Sequence, residues 1–174
     1  LVEEVVLSIV DIAKDKNIEI IFNTEEEEII TAIDEEKIVR VILILLSNSI
    51  KFSKEKGDIC VEMRREDEEV VIKVTDNGIG INEDMKEKIF DKFKRVQSVS
   101  NLNVDHEGSG LGLYIAKGFI ELHNGSISVV SEVEKGSTFI ITIPIVIIKN
   151  DLHNIKHMDE DELNRIIKIE LSDL

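Results

Sequence analysis

Six consecutive aliphatic residues, Val41–Leu46, sit in the middle of a segment that otherwise reads as one long helix. Consecutive helical residues point to all sides of the axis, so a wholly apolar stretch leaves no face for water and must be covered all round. Asp34 is a suitable N-cap for this helix, and Lys37 onward carries it to about Phe52. A buried helix needs other layers around it. The 174 residues are 43% apolar, enough to supply a real core.

The flanking sequence supplies candidate layers. Val2, Val5, Val6, Ile9, Val10, Ile12 and Ala13 recur at helical spacing, and Asn17 ends that helix. Ile18–Phe22 alternates like a short strand, Glu25–Glu28 reads as a solvated turn, and Ile29–Ile33 reads as a second short strand. After Gly57-Asp58, the runs Ile59–Arg65 and Val70–Thr75 form a hairpin signal across the charged stretch Glu66–Glu69. A short helix is predicted over Glu83–Phe93, a mobile loop over Gln97–Gly108 and a helix over Leu111–His123. Strands follow at Ser126–Ser131 and Thr138–Ile148, with Gly136-Ser137 near their connection. Adjacent strands interleaved with helices predict an α+β fold, a mixed sheet covered by helices on one face. Residues 1–148 read as one domain and 149–174 as an acidic tail. In that tail Asp159 with Glu162 suits a capping box, while Ile167, Ile169 and Leu171 alternate as a strand would.

Charge excludes several functions. Twenty-one basic residues against 36 acidic ones leave a net charge of −15. That argues against nucleic acid, which wants a basic face, and against contact with anionic membrane surfaces. One cysteine, Cys60, rules out an internal disulfide framework and a cysteine zinc site, and suits a reducing compartment. The apolar runs Val41–Leu46 and Ile145–Ile148 fall far short of the roughly 18–20 residues a spanning helix needs. No charged-then-apolar leader opens the chain, and a first residue Leu1 rather than Met suggests a piece of something longer.

Three motifs carry chemistry. Asn48 follows the apolar run and shares a helix face with Lys51. An amide oxygen suits Mg²⁺ and an ammonium suits phosphate; equally, Asn48 can bond locally while Lys51 snorkels at the helix end. Asp76-Asn77-Gly78-Ile79-Gly80 follows a strand. Its glycines permit close approach of a ligand to backbone, and its carboxylate can accept from an amino group such as that of adenine, although Asp-Asn-Gly is also ordinary turn chemistry. Gly108-Ser109-Gly110-Leu111-Gly112-Leu113 runs into a helix, where free backbone N–H groups attract phosphate. Its spacing is not that of the dinucleotide fingerprint, it has no Walker lysine and it follows a loop, so a Rossmann fold or a P-loop is not expected. A flexible helix start is the other reading.

Taken in order, these segments resemble the catalytic, ATP-binding domain of sensor histidine kinases, within the wider gyrase, heat-shock chaperone, histidine kinase and MutL ATPase superfamily. The resemblance covers about residues 1–147. Leu45–Ser53 is similar to the N box, Asp76–Gly80 to the G1 box, Ile89–Val96 to the F box and Gly108–Leu113 to the G2 box. Glu121–Gly125 and Gly136–Phe139 match the family's closing pattern. The resemblance implies a two-layer α/β sandwich, the Bergerat ATP-binding fold, with a mostly antiparallel sheet and a mobile ATP lid.

The resemblance also implies residue roles, with ATP and Mg²⁺ as cofactors. Asn48 would hold the metal and Lys51 would neutralise phosphate. Asp76 would bind the adenine amino group, helped by a water and Thr138. Gly78 and Gly80 would let the base lie against backbone, with Phe52 and Ile81 lining it. Phe90 and Phe93 would anchor the lid, and Arg95 would reach the terminal phosphates. Gly108, Ser109, Gly110, Leu111, Gly112 and Leu113 would hinge the lid and offer amides to phosphate. The reaction implied is γ-phosphoryl transfer to a histidine on an upstream dimerisation domain, with a response regulator as indirect partner, in the cytoplasm. No histidine here fits the acceptor pattern: not His106, His123, His153 or His157. One position departs from the family. Ile44, four residues before Asn48, stands where hydrolytic members carry a Glu and many histidine kinases an Asn. Isoleucine cannot orient or deprotonate water, which disfavours a hydrolytic ATPase and leaves a catalytically degenerate ATP-sensing module as the alternative reading. The acid itself is concentrated away from these motifs. Lys86, Lys88, Lys92, Lys94 and Arg95 against Glu87 and Asp91 leave a local +3 at the start of the lid.

Overall fold

The computed structural model describes residues 1–26, 28–54, 56–94, 110–147, 157–172 and 174. Helices α1 (Val2–Ser8) and α2 (Val10–Asp15) precede strand β1 (Glu19–Thr24) and the long helix α3 (Glu35–Phe52). The hairpin β2 (Asp58–Glu66) and β3 (Glu69–Asp76) follows, then helix α4 (Gly112–Leu122), strands β4 (Ser126–Glu132) and β5 (Gly136–Pro144), and helix α5 (Glu160–Glu170). The five strands form one sheet in the order β1-β2-β3-β5-β4. Only β1 and β2 run parallel. This is the mixed, mostly antiparallel α+β sheet that the sequence predicts.

Register shows why one face is covered. Phe22, Val61, Val74, Phe139 and Val129 lie side by side across all five strands, and the next row along is Ile20, Ile59, Asp76, Ser137 and Ser131. Side chains alternate along a strand, so these two rows share a face. That face joins the core together with the helices. Helix α3 lies at the centre of the helical layer and touches α1, α4, α5 and β3. Hence Val41, Ile42, Leu43, Ile44, Leu45 and Leu46 are all buried. Asp34 caps α3 by accepting the Lys37 N–H at 3.1 Å. His123 Nε2 accepts the Asp34 N–H at 2.9 Å, so the ring proton sits on Nδ1 and is donated to the Phe119 carbonyl at 2.7 Å. The Nδ1 bond anchors the ring on α4, and the Nε2 bond ties the end of α4 to the start of α3.

Several local expectations change. The first helix breaks at Ile9, because the Ser8 hydroxyl bonds the Val5 carbonyl at 2.6 Å and the Ile9 N–H turns to Val6 at 3.3 Å. Residues 29–33 form no strand. The Ala32 N–H makes one backbone bond to the Val146 carbonyl, and the Thr31 hydroxyl bridges Pro144 and Val146. The predicted helix at Glu83–Phe93 is instead two 3₁₀ turns, Glu83–Met85 and Lys88–Phe90. Ile89 and Phe90 are adjacent and both buried. The β2–β3 turn needs only Asp67 and Glu68, since Glu66 pairs with Glu69. Strand β5 stops at Pro144, which has no N–H to donate. The predicted loop at Gln97–Gly108 lies outside the described residues.

The ambiguity at the C-terminus resolves as a helix. Asp159 caps α5 by accepting the Glu162 N–H at 2.8 Å. Ile166, Ile167 and Leu171 join the core, and Arg40 of α3 pairs with Glu170 at 2.9 Å. Ile166→Ala should therefore cost about 2–5 kcal/mol and lower the unfolding midpoint by about 4–20 °C in a calorimetric melt.

Candidate functional site

Asp76 ends β3 and is buried, only 7% exposed. One carboxylate oxygen accepts the Gly78 N–H at 2.9 Å and the Ser137 N–H at 3.2 Å. The other accepts from the Ser49 hydroxyl of α3 at 3.4 Å. Burial pushes the Asp76 carboxyl above its ordinary value, against the lowering effect of those three hydrogen bonds. A buried carboxylate with such a shift, at the end of a strand, marks a candidate site.

The segment after Asp76 is clamped between two elements. The Ile79 N–H donates to the Phe52 carbonyl at the end of α3 at 3.1 Å, and the Ile79 carbonyl accepts from the Glu134 N–H in the β4–β5 turn at 2.7 Å. A side chain at Gly78 would reach within 2.4 Å of the Phe52 carbonyl oxygen. Gly80, at φ +71°, would bring one within 2.1 Å of the Glu132 carbonyl oxygen. These two glycines are thus demanded by backbone packing as well as by any ligand. Ile81 is buried, and its N–H donates to the Ser131 hydroxyl at 2.8 Å.

Helix α3 links this end to the start of α4. Ile44, Asn48 and Lys51 follow helical spacing on one face. The Ile44 side chain lies beneath Gly112, where an added Cβ would come within 3.2 Å of it. Asn48 and Lys51 are half-buried, and neither side chain enters a hydrogen bond or ion pair among the described residues. An amide oxygen and an ammonium are therefore available on the stripe that leads to the α4 N-terminus. Gly110, at φ +67°, bonds through its carbonyl to the Phe93 N–H at 3.0 Å, and Leu111 and Gly112 open α4 with Leu113 packed on the core. Phe93 itself is 71% exposed at φ +60°. Phe90 instead is buried edge-on against Phe139, with ring centroids 6.5 Å apart. Lys92 lies over the Tyr114 ring at 4.8 Å. Arg95, Gly108 and Ser109 lie outside the described residues.

Thr138 does not lie beside Asp76 as the resemblance implies. It pairs with Thr75, and their hydroxyls meet at 3.1 Å on the uncovered face of the sheet. The residue beside Asp76 on the covered face is Ser137, one position earlier. Strand parity holds the signal: Phe139 is a core position, so Ser137 faces the core side and Thr138 does not. Ser49 lies within the N box without an assigned role and Ser131 lies outside every motif; they meet the site through the packing of α3 and the pairing of β4 with β5.

The comparisons with known proteins agree with this architecture. The family model for the histidine kinase-, DNA gyrase B- and HSP90-like ATPases matches residues 33–147, from the α3 cap to the end of the sheet. The chain belongs to this family. It is 35% identical over 136 residues to the sensor histidine kinase WalK of Bacillus subtilis, covering 77% of this chain and 22% of WalK. The chain thus spans about a fifth of that curated relative. The catalytic domain of the histidine kinase ThkA superposes with a TM-score of 0.72 at 30% identity, covering 83% of this chain and 90% of that one. Full-length ShkA, solved in complex with AMPPNP, superposes with a TM-score of 0.72 at 26% identity, covering 83% of this chain and 29% of that one. This ATPase domain is therefore of the histidine kinase type.

Proposed function

We propose that this domain binds Mg-ATP and, within a longer histidine kinase, presents the γ-phosphoryl group to a histidine on a separate helical dimerisation domain. The observation that carries the reading is the buried Asp76 carboxylate, fixed by three donors at one end of a site whose other end is the α4 N-terminus. Asp76 accepts from the adenine 6-amino group, a donor that suits a carboxylate already aimed by backbone amides. Gly78 and Gly80 let the base lie flat, between Phe52 and Ile81. Lys51 and the first amides of α4, at Gly112 and Leu113, meet the phosphates. Arg95, Gly108 and Ser109 take the phosphate roles that the family resemblance gives them. Transfer then rests on positioning and charge neutralisation, the acceptor imidazole supplying the nucleophile.

The donor set fits magnesium. Asn48 offers a half-buried amide oxygen that has no hydrogen-bond partner among the described residues, and among these no cluster of three acidic, His or Cys side chains makes a protein-only cage. That is the pattern of an ion held by one protein oxygen, water and substrate phosphates. Bound there, Mg²⁺ would add to the phosphate neutralisation supplied by Lys51 and the basic start of the lid.

ShkA was solved with the ATP analogue AMPPNP, which supports the nucleotide assignment. The ThkA structure in complex with the response regulator TrrA supports a regulator as the downstream partner. Nucleic acid and membrane surfaces are not partners, on the charge argument. No helix among the described residues is long and apolar enough to cross a membrane, and the domain works in the cytoplasm.

Ile44 favours a second reading, an ATP-sensing module with weakened catalysis. Its buried aliphatic side chain occupies the place beneath Gly112 from which a polar group would reach the phosphates. Calorimetric titration with ATP tests the first step. One site is expected, with Mg²⁺ strengthening binding, and Asn48→Ala should remove most of that strengthening while the magnesium-free affinity stays within about threefold. Identical heats with and without Mg²⁺ would rule out the metal role.

A further inference from the structure

We infer that Ser131 is a positioning residue that sets the base selectivity of this site, an inference resting on the reading that Asp76 takes adenine. Ser131 lies on β4, two strands from Asp76, in the covered-face row Asp76–Ser137–Ser131. It is 9% exposed and makes three hydrogen bonds. Its oxygen lies 2.7 Å from the Gly136 carbonyl, 2.8 Å from the Ile81 nitrogen and 3.0 Å from the Ser137 oxygen.

The donor arithmetic of one hydroxyl decides the rest. A serine has a single proton and two lone pairs. The Gly136 carbonyl can only accept, so the Ser131 proton goes there. The Ile81 N–H can only donate, and it takes one lone pair. The contact with Ser137 therefore runs one way: Ser137 donates its only hydroxyl proton to Ser131. Beside Asp76, Ser137 is left with lone pairs alone. The Ser49 proton is turned to Asp76 as well. Together with the ionised carboxylate, the two serines beside it, Ser49 and Ser137, present acceptors and no free proton. Such a surface suits a 6-amino base and opposes a 6-oxo base, whose carbonyl would meet acceptors. Ser131 touches no base itself. It acts by fixing the Ser137 rotor and by holding the Ile81 end of the glycine segment.

Replacing Ser131 with Ala frees the Ser137 proton to turn toward Asp76 and leaves the Ile81 N–H without its acceptor. The test compares ATP with inosine triphosphate, which carries oxygen in place of the 6-amino group, on wild type, Ser131→Ala and Ser131→Thr. In wild type, ATP should bind at least about tenfold more tightly than inosine triphosphate. In Ser131→Ala, ATP should weaken about tenfold while inosine triphosphate holds or tightens, so the ratio collapses. Ser131→Thr keeps the hydroxyl and should restore the ratio. A structural lesion alone would weaken both nucleotides equally and would overturn the inference, as would an unchanged ratio. If Ser131→Ala fails to fold, Ser131→Cys keeps the volume with a poor acceptor and should show the same collapse. A wild type that binds both nucleotides alike removes the Asp76 reading itself, whereas a preference for ATP that survives in Ser131→Ala removes only the role of Ser131.

Discussion

Asp76→Asn should abolish most nucleotide affinity while leaving the fold at least as stable as wild type. The two effects come from the same three hydrogen bonds. An asparagine oxygen can still accept from the Gly78 and Ser137 N–H groups, which lie 2.9 and 3.2 Å from one oxygen of Asp76. The amide nitrogen then replaces the oxygen that faces Ser49, and that hydroxyl can turn to the helix carbonyl four residues back. The Gly78 and Ser137 N–H groups and the Ser49 hydroxyl all keep a partner. The base loses a charged acceptor, worth about 2–3 kcal/mol, or on the order of 30- to 150-fold in affinity.

Linkage gives the stability sign. Burial raises the Asp76 carboxyl above its ordinary value, so the folded state binds the proton more tightly than the unfolded state. Stability from this group is then lost as pH rises from the ordinary aspartate range through the raised value, and it stays lower above that. Asp76→Asn removes the buried charge, so its melting temperature should exceed that of wild type at neutral pH and converge with it in acid. Wild-type ATP affinity should fall on acidification at a higher pH than an unperturbed aspartate would give. Paired melts and titrations across pH check both. A variant less stable than wild type at neutral pH, or one that binds ATP normally, would contradict this account of the carboxylate.

The second large effect concerns Gly136, at the start of β5. It has φ +99°, and an added Cβ would lie 1.9 Å from the Asp76 carbonyl oxygen and 2.8 Å from the Asn77 Cα. Both obstacles are backbone, so no rotamer relieves them. Gly136→Ala should therefore cost more than about 4 kcal/mol, from left-handed backbone strain combined with overlap against β3. Gly118 supplies the contrast. It sits inside α4 with nothing within 4 Å of its added Cβ. Gly118→Ala should be neutral or stabilising by about 0.5–1 kcal/mol. Chemical denaturation of the two variants reads the difference, and equal stabilities would show that the β4–β5 turn is not held against Asp76 as described.

Sequence periodicity carried the large elements well. The apolar run Val41–Leu46 announces a buried helix, and α3 is indeed surrounded by α1, α4, α5 and the sheet. The glycine-marked segments announce the ends of the site because backbone conformation there has few residue solutions. What the chain's pattern hides is mostly a matter of partners distant in sequence. Thr138 and Ser137 differ by one position, and only pairing with β3 tells which of them meets Asp76. Ser131 is a serine in an alternating strand, indistinguishable by itself from a surface residue. Residues 83–93 have helical composition but form two 3₁₀ turns, a difference that composition and apolar spacing do not announce. Helix α5 was legible only as an ambiguity, settled by docking of Ile166 and Ile167 on the core.

The most direct measurement of the central claim mixes this domain with a separately produced helical dimerisation domain carrying the acceptor histidine, in the presence of Mg²⁺ and γ-labelled ATP. Label is expected on the acceptor domain in an acid-labile, base-stable linkage, dependent on Asp76 and Asn48. ATP binding without any such transfer would contradict the kinase reading and would leave the nucleotide-sensing role that Ile44 favours.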